Sequence, residues 1–253
     1  MRLLFLTLIL FIFDVWVTSQ CTLNSSGISN VSKLSTSGNI NIDNLIKAEK
    51  IKLEKFFNVS ADIKITTGSN GIAIKTCSTC NGIIELGSHL LIQEYSLIGP
   101  KTKKSLGKYM IISIMAHEYA HIYQYRHPEL KFRDAIVQEV HADMLAGWYM
   151  SQYLMNEYGV NSDDVRYKFH NANQVKIIDD IILDIGIGFG WLGDEQYWSP
   201  QHHGDHMTRA YAFMEVWRCM YGQPVQISCS NFSEWLKDSV WLAEMKVYYD
   251  SQH

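Results

Sequence analysis

The sequence predicts an α+β fold, with a small N-terminal β-sheet leading into a long motif-bearing helix and a mostly helical C-terminal part. Three observations predict it. "ADIKITTG" and "GIAIKTC" alternate apolar and polar residues as strands do, and "NGIIELGSHLLI" adds a third strand that leads into a helix or turn. From Ser105 onward nearly every apolar residue recurs at helical spacing. Hydrophobic residues make up 47% of the 253-residue chain and charged residues 19%, which is the balance of a packed body and not of a disordered one.

The elements follow in order. Residues 1–20 carry Met1-Arg2 and then the apolar run "LLFLTLILFIF", with Val17 and Ser19 at the small-residue positions before a cleavage point. The run is shorter than the roughly 20 residues a stable transmembrane helix needs. It reads as a signal peptide or an uncleaved N-terminal anchor, and either one makes the chain an exported protein: secreted, periplasmic or on the cell surface. Residues 21–42 are rich in Ser and Asn and read as a flexible segment. Residues 43–253 form the folded domain.

Within that domain "IDNLIKAEKIKLEKFFNV" is a first helix, and the strands come next. "SLGKYMIISIMAHEYAHIYQYRH" is a long apolar helix stopped by Pro128. Further helices cover Phe132 to Gly159, Ser162 to Gly186 with Ser162 as N-cap, Asp205 to Gly222 and Phe232 to Asp250.

Export changes the meaning of the five cysteines. Cys77 with Cys80, and Cys219 with Cys229, can each close a short disulfide loop. Cys21 stands where a lipoprotein carries its lipid, although Gln20 is a poor residue before such a cysteine. The single CxxC lacks the second pair that a structural zinc site uses. Sequons begin at Asn24, Asn30, Asn58 and Asn231. A net charge of −4 with no basic stripe gives no support for a nucleic-acid partner. A membrane enters only through the N-terminal anchor or a lipid.

The chemistry concentrates in "AHEYAH". His117 and His121 are four apart on a helix, so both imidazoles leave one face and can hold one Zn²⁺. Glu118 is rotated about 100° from His117 and can act as general base on a water that the metal activates. Apolar neighbours such as Ile114, Met115 and Ile122 bury this helix, and buried histidines need partners. A catalytic zinc takes a third protein ligand. Glu139, 18 residues after His121 in "QEVHAD", offers it. Asp143 lies four residues further on the same helix face and can orient a ligand histidine through its other N–H. His141 competes with Glu139 for the ligand position, but points elsewhere if Glu139 faces the metal.

Downstream, His202, His203, His206 and Arg209 crowd eight residues. His203 and Arg209 read equally as transition-state stabilisers or as structural groups, with Arg209 pairing a carboxylate such as Asp194. Asp179, Asp180 and Asp184 read as a solvated helix face and not as a second metal site. The "YQYRHPE" tail reads as the exit of its helix to the surface.

"AHEYAHIYQY" followed by "QEVHADMLAGW" resembles the gluzincin metallopeptidases, in which a His-Glu-x-x-His helix precedes one bearing Glu-x-x-x-Asp. It is most similar to the bacterial neutral zinc metallopeptidases, whose Glu-Leu-Gln-Ala-Asp-x-x-Ala-Gly motif stands here as Glu139 to Gly147 with His141 in place of Gln. Gly193-Asp194 and His203-Gly204 through Arg209 are similar to that family's later motifs. The resemblance covers about residues 85 to 220 and implies a zincin-like fold, one catalytic zinc and a hydrolase. The expected substrate is a peptide or protein, which an edge strand near "GIIELGSHLL" can pair with. The competing readings are a catalytically silent, zinc-stabilised surface binding domain and a zinc hydrolase acting on a different bond.

Overall fold

The computed structural model describes residues 31–74, 81–127, 130, 135–161, 165, 171–192 and 206–220. The fold is α+β, with a four-stranded sheet packed against a helical body. The cysteines, His202, His203, Asp194, Ser162, the N-terminal run and the helix expected at Phe232 to Asp250 lie outside the described residues or, for Cys219, carry no described side chain. No helix among the described residues is long and apolar enough to cross a membrane.

Strand β1 is Lys33–Leu34, and helix α1 is Ile40–Phe57. The segment read as flexible to residue 42 therefore supplies an edge strand and a helix start in its second half. Asn39 explains the start, because its side chain accepts from the Asn41 N–H at 3.0 Å as an N-cap does. Asn58 ends α1 in the left-handed region, at φ 50°. A buried stripe of Ile42, Ile46, Leu53 and Phe57 faces the core. Glu49 interrupts it and accepts from the Tyr149 hydroxyl, which ties α1 to a later helix.

Strands β2 (Ala61–Thr66), β3 (Gly71–Ile74) and β4 (Gly82–Gly87) complete the sheet in the order β1-β2-β4-β3. β4 runs parallel to β2 and antiparallel to β3. "GIIELG" is thus an interior strand and not the expected edge; among the described residues the open edge beside the helical body is β3. Alternation alone cannot separate the two, because Ile84 and Leu86 face the core in either case.

The register fixes which groups of β3 face outward. Gly87 N–H donates to the Asn70 carbonyl at 2.9 Å, so that pair is hydrogen-bonded and its alternates, Ile72 and Ile74, are bonded to β4 as well. Gly71 and Ala73 then turn their backbone N–H and C=O away from β4, toward the open edge.

Helices α2 (Ser88–Tyr95), α3 (Gly107–Arg126), α4 (Ala135–Tyr158), α5 (Ala172–Trp191) and α6 (His206–Met220) form the body. α3 runs through its centre and is buried along almost its whole length. It ends at Arg126, because His127 precedes Pro128 and takes a non-helical backbone. α4 ends at Gly159, whose φ of +64° lets Val160 N–H reach back to the Met155 carbonyl at 2.8 Å. α4 and α6 touch backbone to backbone: a Cβ on Gly147 would fall 2.0 Å from the Phe213 carbonyl oxygen.

α5 differs from the expected Ser162 to Gly186. It starts at Ala172 after Asn171, which sits in the left-handed region, and runs on to Trp191. Gly186 and Gly190 do not stop it, because they are contact residues: a Cβ on Gly190 would lie 2.6 Å from the His206 carbonyl oxygen. The three aspartates of α5 do not share a solvated face either. Asp180 is the surface member, paired to Lys176 at 3.1 Å. Asp179 accepts from the Trp217 indole N–H at 2.6 Å. Asp184 is buried and accepts the Lys101 and Thr102 backbone N–H groups, each at 2.8 Å.

Candidate metal centre

α3 and α4 lie side by side, and their facing turns bring His117, His121 and Glu139 together. His117 Nε2 is 3.0 Å from His121 Nε2 and 3.2 Å from Glu139 Oε2, and His121 Nε2 is 3.4 Å from Glu139 Oε1. All three residues are at most 2% exposed.

Close polar partners assign both imidazole tautomers. Asp143 Oδ1 lies 2.8 Å from His117 Nδ1, and a carboxylate there makes Nδ1 the protonated nitrogen. Burial alone would raise the Asp143 pKa. The Arg209 charge and hydrogen bonds, joined by His117, outweigh it and hold the carboxyl below the usual carboxylate range.

His121 is fixed by Gln124. The Gln124 amide nitrogen donates to the Gln138 carbonyl at 2.8 Å, which only an N–H can do, and faces His141 Nδ1 at 3.0 Å. Its oxygen must then face His121 Nδ1, 2.8 Å away, and that nitrogen carries the proton. Both Nε2 atoms are therefore lone pairs, pointed at one another and at a carboxylate. Lone pairs at this separation repel unless a cation lies between them.

Charge leads to the same place. Glu118, Glu139 and Asp143 are fully buried in this interior with Arg209, the one buried Lys or Arg among the described residues. Excess buried negative charge is costly unless compensated, and a divalent ion compensates it. His117, His121 and Glu139 are thus a buried group that can hold a metal ion.

Arg209 sits behind the ligands. Its Nε and Nη2 make two 2.8 Å bonds to Asp143, its Nη1 donates to the Leu192 carbonyl at 3.3 Å, and Nη2 is 3.6 Å from Glu139. This bidentate pairing with Asp143 holds the guanidinium behind the histidines, and the Asp194 partner expected from the sequence lies outside the described residues. His141 is fully buried and bonded to Gln124 through Nδ1, so that nitrogen is not directed at the metal position. His206 opens α6, where its Nδ1 meets the Gly190 carbonyl.

Glu118, rotated about 100° from His117, faces β3. A Cβ on Gly71 would come within 2.6 Å of its Oε1, so the absence of a side chain at Gly71 makes room for this carboxylate against β3. One turn past His121, Tyr125 lies nearly parallel to the His121 ring, at 20° and 6.4 Å, and its hydroxyl donates to the Ala73 carbonyl at 3.3 Å. Burial, with the Glu118 and Glu139 charges nearby, pushes the Tyr125 pKa up and keeps the phenol protonated. The start of the "YQYRHPE" tail is therefore part of the centre and not an exit to the surface. Gln124 was readable in principle, since i+3 from His121 is the same helix face. Tyr125 was not, because its partner is a backbone carbonyl on a strand.

Comparison with protein-family models, with curated proteins and with solved structures found no match.

Proposed function

We propose that the chain is an exported zinc-dependent metallohydrolase, most simply a metallopeptidase of the gluzincin type with a zincin-like fold. The observation that carries this reading is the convergence of His117 Nε2, His121 Nε2 and Glu139, 3.0–3.4 Å apart, with both tautomers set to offer lone pairs. Tetrahedral zinc with bonds of about 2.0–2.1 Å to such ligands separates its donors by about 3.3 Å. Three protein ligands leave the fourth position open, as catalytic zinc sites do.

Zinc held there supplies Lewis acidity, acidifying a water and polarising the carbonyl it attacks. The chain's residues do the rest. Glu118, which is not one of the three ligands, takes a proton from the attacking water and delivers it to the amide nitrogen as the C–N bond breaks. Asp143 holds the His117 ring, and Arg209 holds Asp143. An extended peptide pairs with the outward groups of Gly71 and Ala73, which brings its backbone alongside Glu118. The N-terminal apolar run supports export.

The test compares wild type with Glu118→Gln for bound zinc and for hydrolysis of casein or a peptide library. Zinc in both, with cleavage by wild type alone, is the expected result. Zinc in both without cleavage by either points to the silent binding domain and overturns the peptidase reading.

A further inference from the structure

Two residues of α3 address the two outward positions of β3. Glu118 abuts Gly71, and the Tyr125 hydroxyl bonds the Ala73 carbonyl at 3.3 Å. That carbonyl faces the open edge, as the 2.9 Å Gly87-to-Asn70 bond and the register of β3 on β4 require. It is therefore the acceptor that an incoming backbone N–H needs when an extended chain adds to this edge. In the substrate-free protein the phenol already fills it.

From this geometry we propose that Tyr125 is a latch on the peptide-binding edge: it caps the Ala73 carbonyl in the free protein and is displaced when an extended peptide pairs with β3. The latch rests on the peptidase reading for its substrate class. Binding then exchanges the phenol's hydrogen bond for a backbone one, so the peptide gains less than a free edge would give it. The latch also blunts an edge strand that would otherwise invite pairing with other chains.

The experiment uses the zinc-loaded Glu118→Gln protein, which holds peptide without cutting it, and a fluorescein-labelled peptide selected against it from a random library. Fluorescence anisotropy gives its affinity with Tyr125 present and with Tyr125→Phe added. Phenylalanine keeps the ring beside His121 and removes the hydroxyl. The expected result is binding tighter by about threefold to tenfold in the Phe form, the weight of one net hydrogen bond. N-methylating the peptide nitrogen that meets Ala73 should abolish that gain.

Equal or weaker binding in the Phe form overturns the latch and leaves the Tyr125 bond as a plain tie between α3 and the sheet. Failure of the library to yield any binder overturns it too. Absence of cleavage by wild type sinks the peptidase reading separately, because the anisotropy experiment needs no turnover.

Discussion

The centre between α3 and α4 and the loop held by α5 both bury carboxylates, and they solve the same electrostatic problem in opposite ways. Asp184 is 1% exposed and receives two backbone N–H groups, which satisfy it in place. Glu139 is equally buried but faces two imidazole nitrogens whose tautomers offer lone pairs and no protons. Burial is common to both. The partner's chemistry separates a structural carboxylate from one that can hold a metal, and this is a better guide than an acidic cluster in the sequence.

The largest effect is expected where the two sites are exchanged as targets. Glu139→Ala should lose its zinc altogether, with affinity down by more than about a thousandfold, because two histidines do not make a zinc site. Metal analysis after dialysis reads this directly. Asp184→Ala should keep full zinc and instead lose about 3 kcal/mol of stability in urea, since two partly buried N–H groups lose a charged acceptor. If Asp184→Ala sheds zinc, or Glu139→Ala keeps it, the contrast between the sites is wrong.

Arg209→Met comes next, and it tests the support behind the ligands. It leaves the buried Asp143 carboxylate without its cationic partner, at a cost of about 3–5 kcal/mol. Arg209→Lys keeps the charge without the two-pronged fit and should fall between the two. Chemical denaturation of the three proteins orders them; Met equal to wild type would show that Asp143 has another way to be satisfied.

A finer probe is Gln124→Met, which fills the same space but neither accepts from His121 nor donates to Gln138 and His141. Zinc affinity measured against a competing chelator should fall about 10–100-fold, the usual weight of a partner that orients a ligand. The imidazole ¹⁵N shifts of His121 should report a freed Nδ1–H. An unchanged affinity would mean that the His121 tautomer is fixed by the metal alone.

These residues also mark how far the sequence could be read. His117, His121, Glu139 and Asp143 were legible because helical periodicity converts spacing into a shared face, and two such faces suffice to bring the four together. The α+β class was legible for the same reason. What escaped depends on contacts that carry no periodicity. Asp184 is buried by a loop more than 80 residues earlier in the chain, where it accepts from Lys101 and Thr102. β4 became interior because β3 folds back onto its outer side, which strand alternation cannot register. Gly186 looked like a helix end because glycine is unfavourable inside a helix, yet here the close packing of α5 on α6 at Gly186 and Gly190 outweighs that penalty. Gln124 shares a helix face with His121 and was readable to that extent, but the direction of its amide appears only once Gln138 and His141 stand beside it.

Glu94 sets the third case of the comparison and the smallest effect. It is 4% exposed, and its nearest side-chain donor is Gln93 at a long 3.5 Å. Among the described residues no backbone N–H group compensates it, and burial pushes its pKa up to about 7. The sign follows from linkage. The folded protein binds this proton more tightly than the unfolded chain does, so the associated stability is complete below the unfolded value of 4.5 and is lost as pH rises through about 7. The full shift corresponds to roughly 3 kcal/mol, and relaxation around the charged form should reduce it to about 1–2 kcal/mol. Glu94→Gln removes the titration, so its stability relative to wild type should rise between pH 5 and pH 8 by that amount. Thermal melts of the zinc-free proteins across this range isolate the effect from metal binding. A constant difference between the two proteins would mean that the Glu94 carboxylate finds donors once it ionises, placing it with Asp184 and not apart from it.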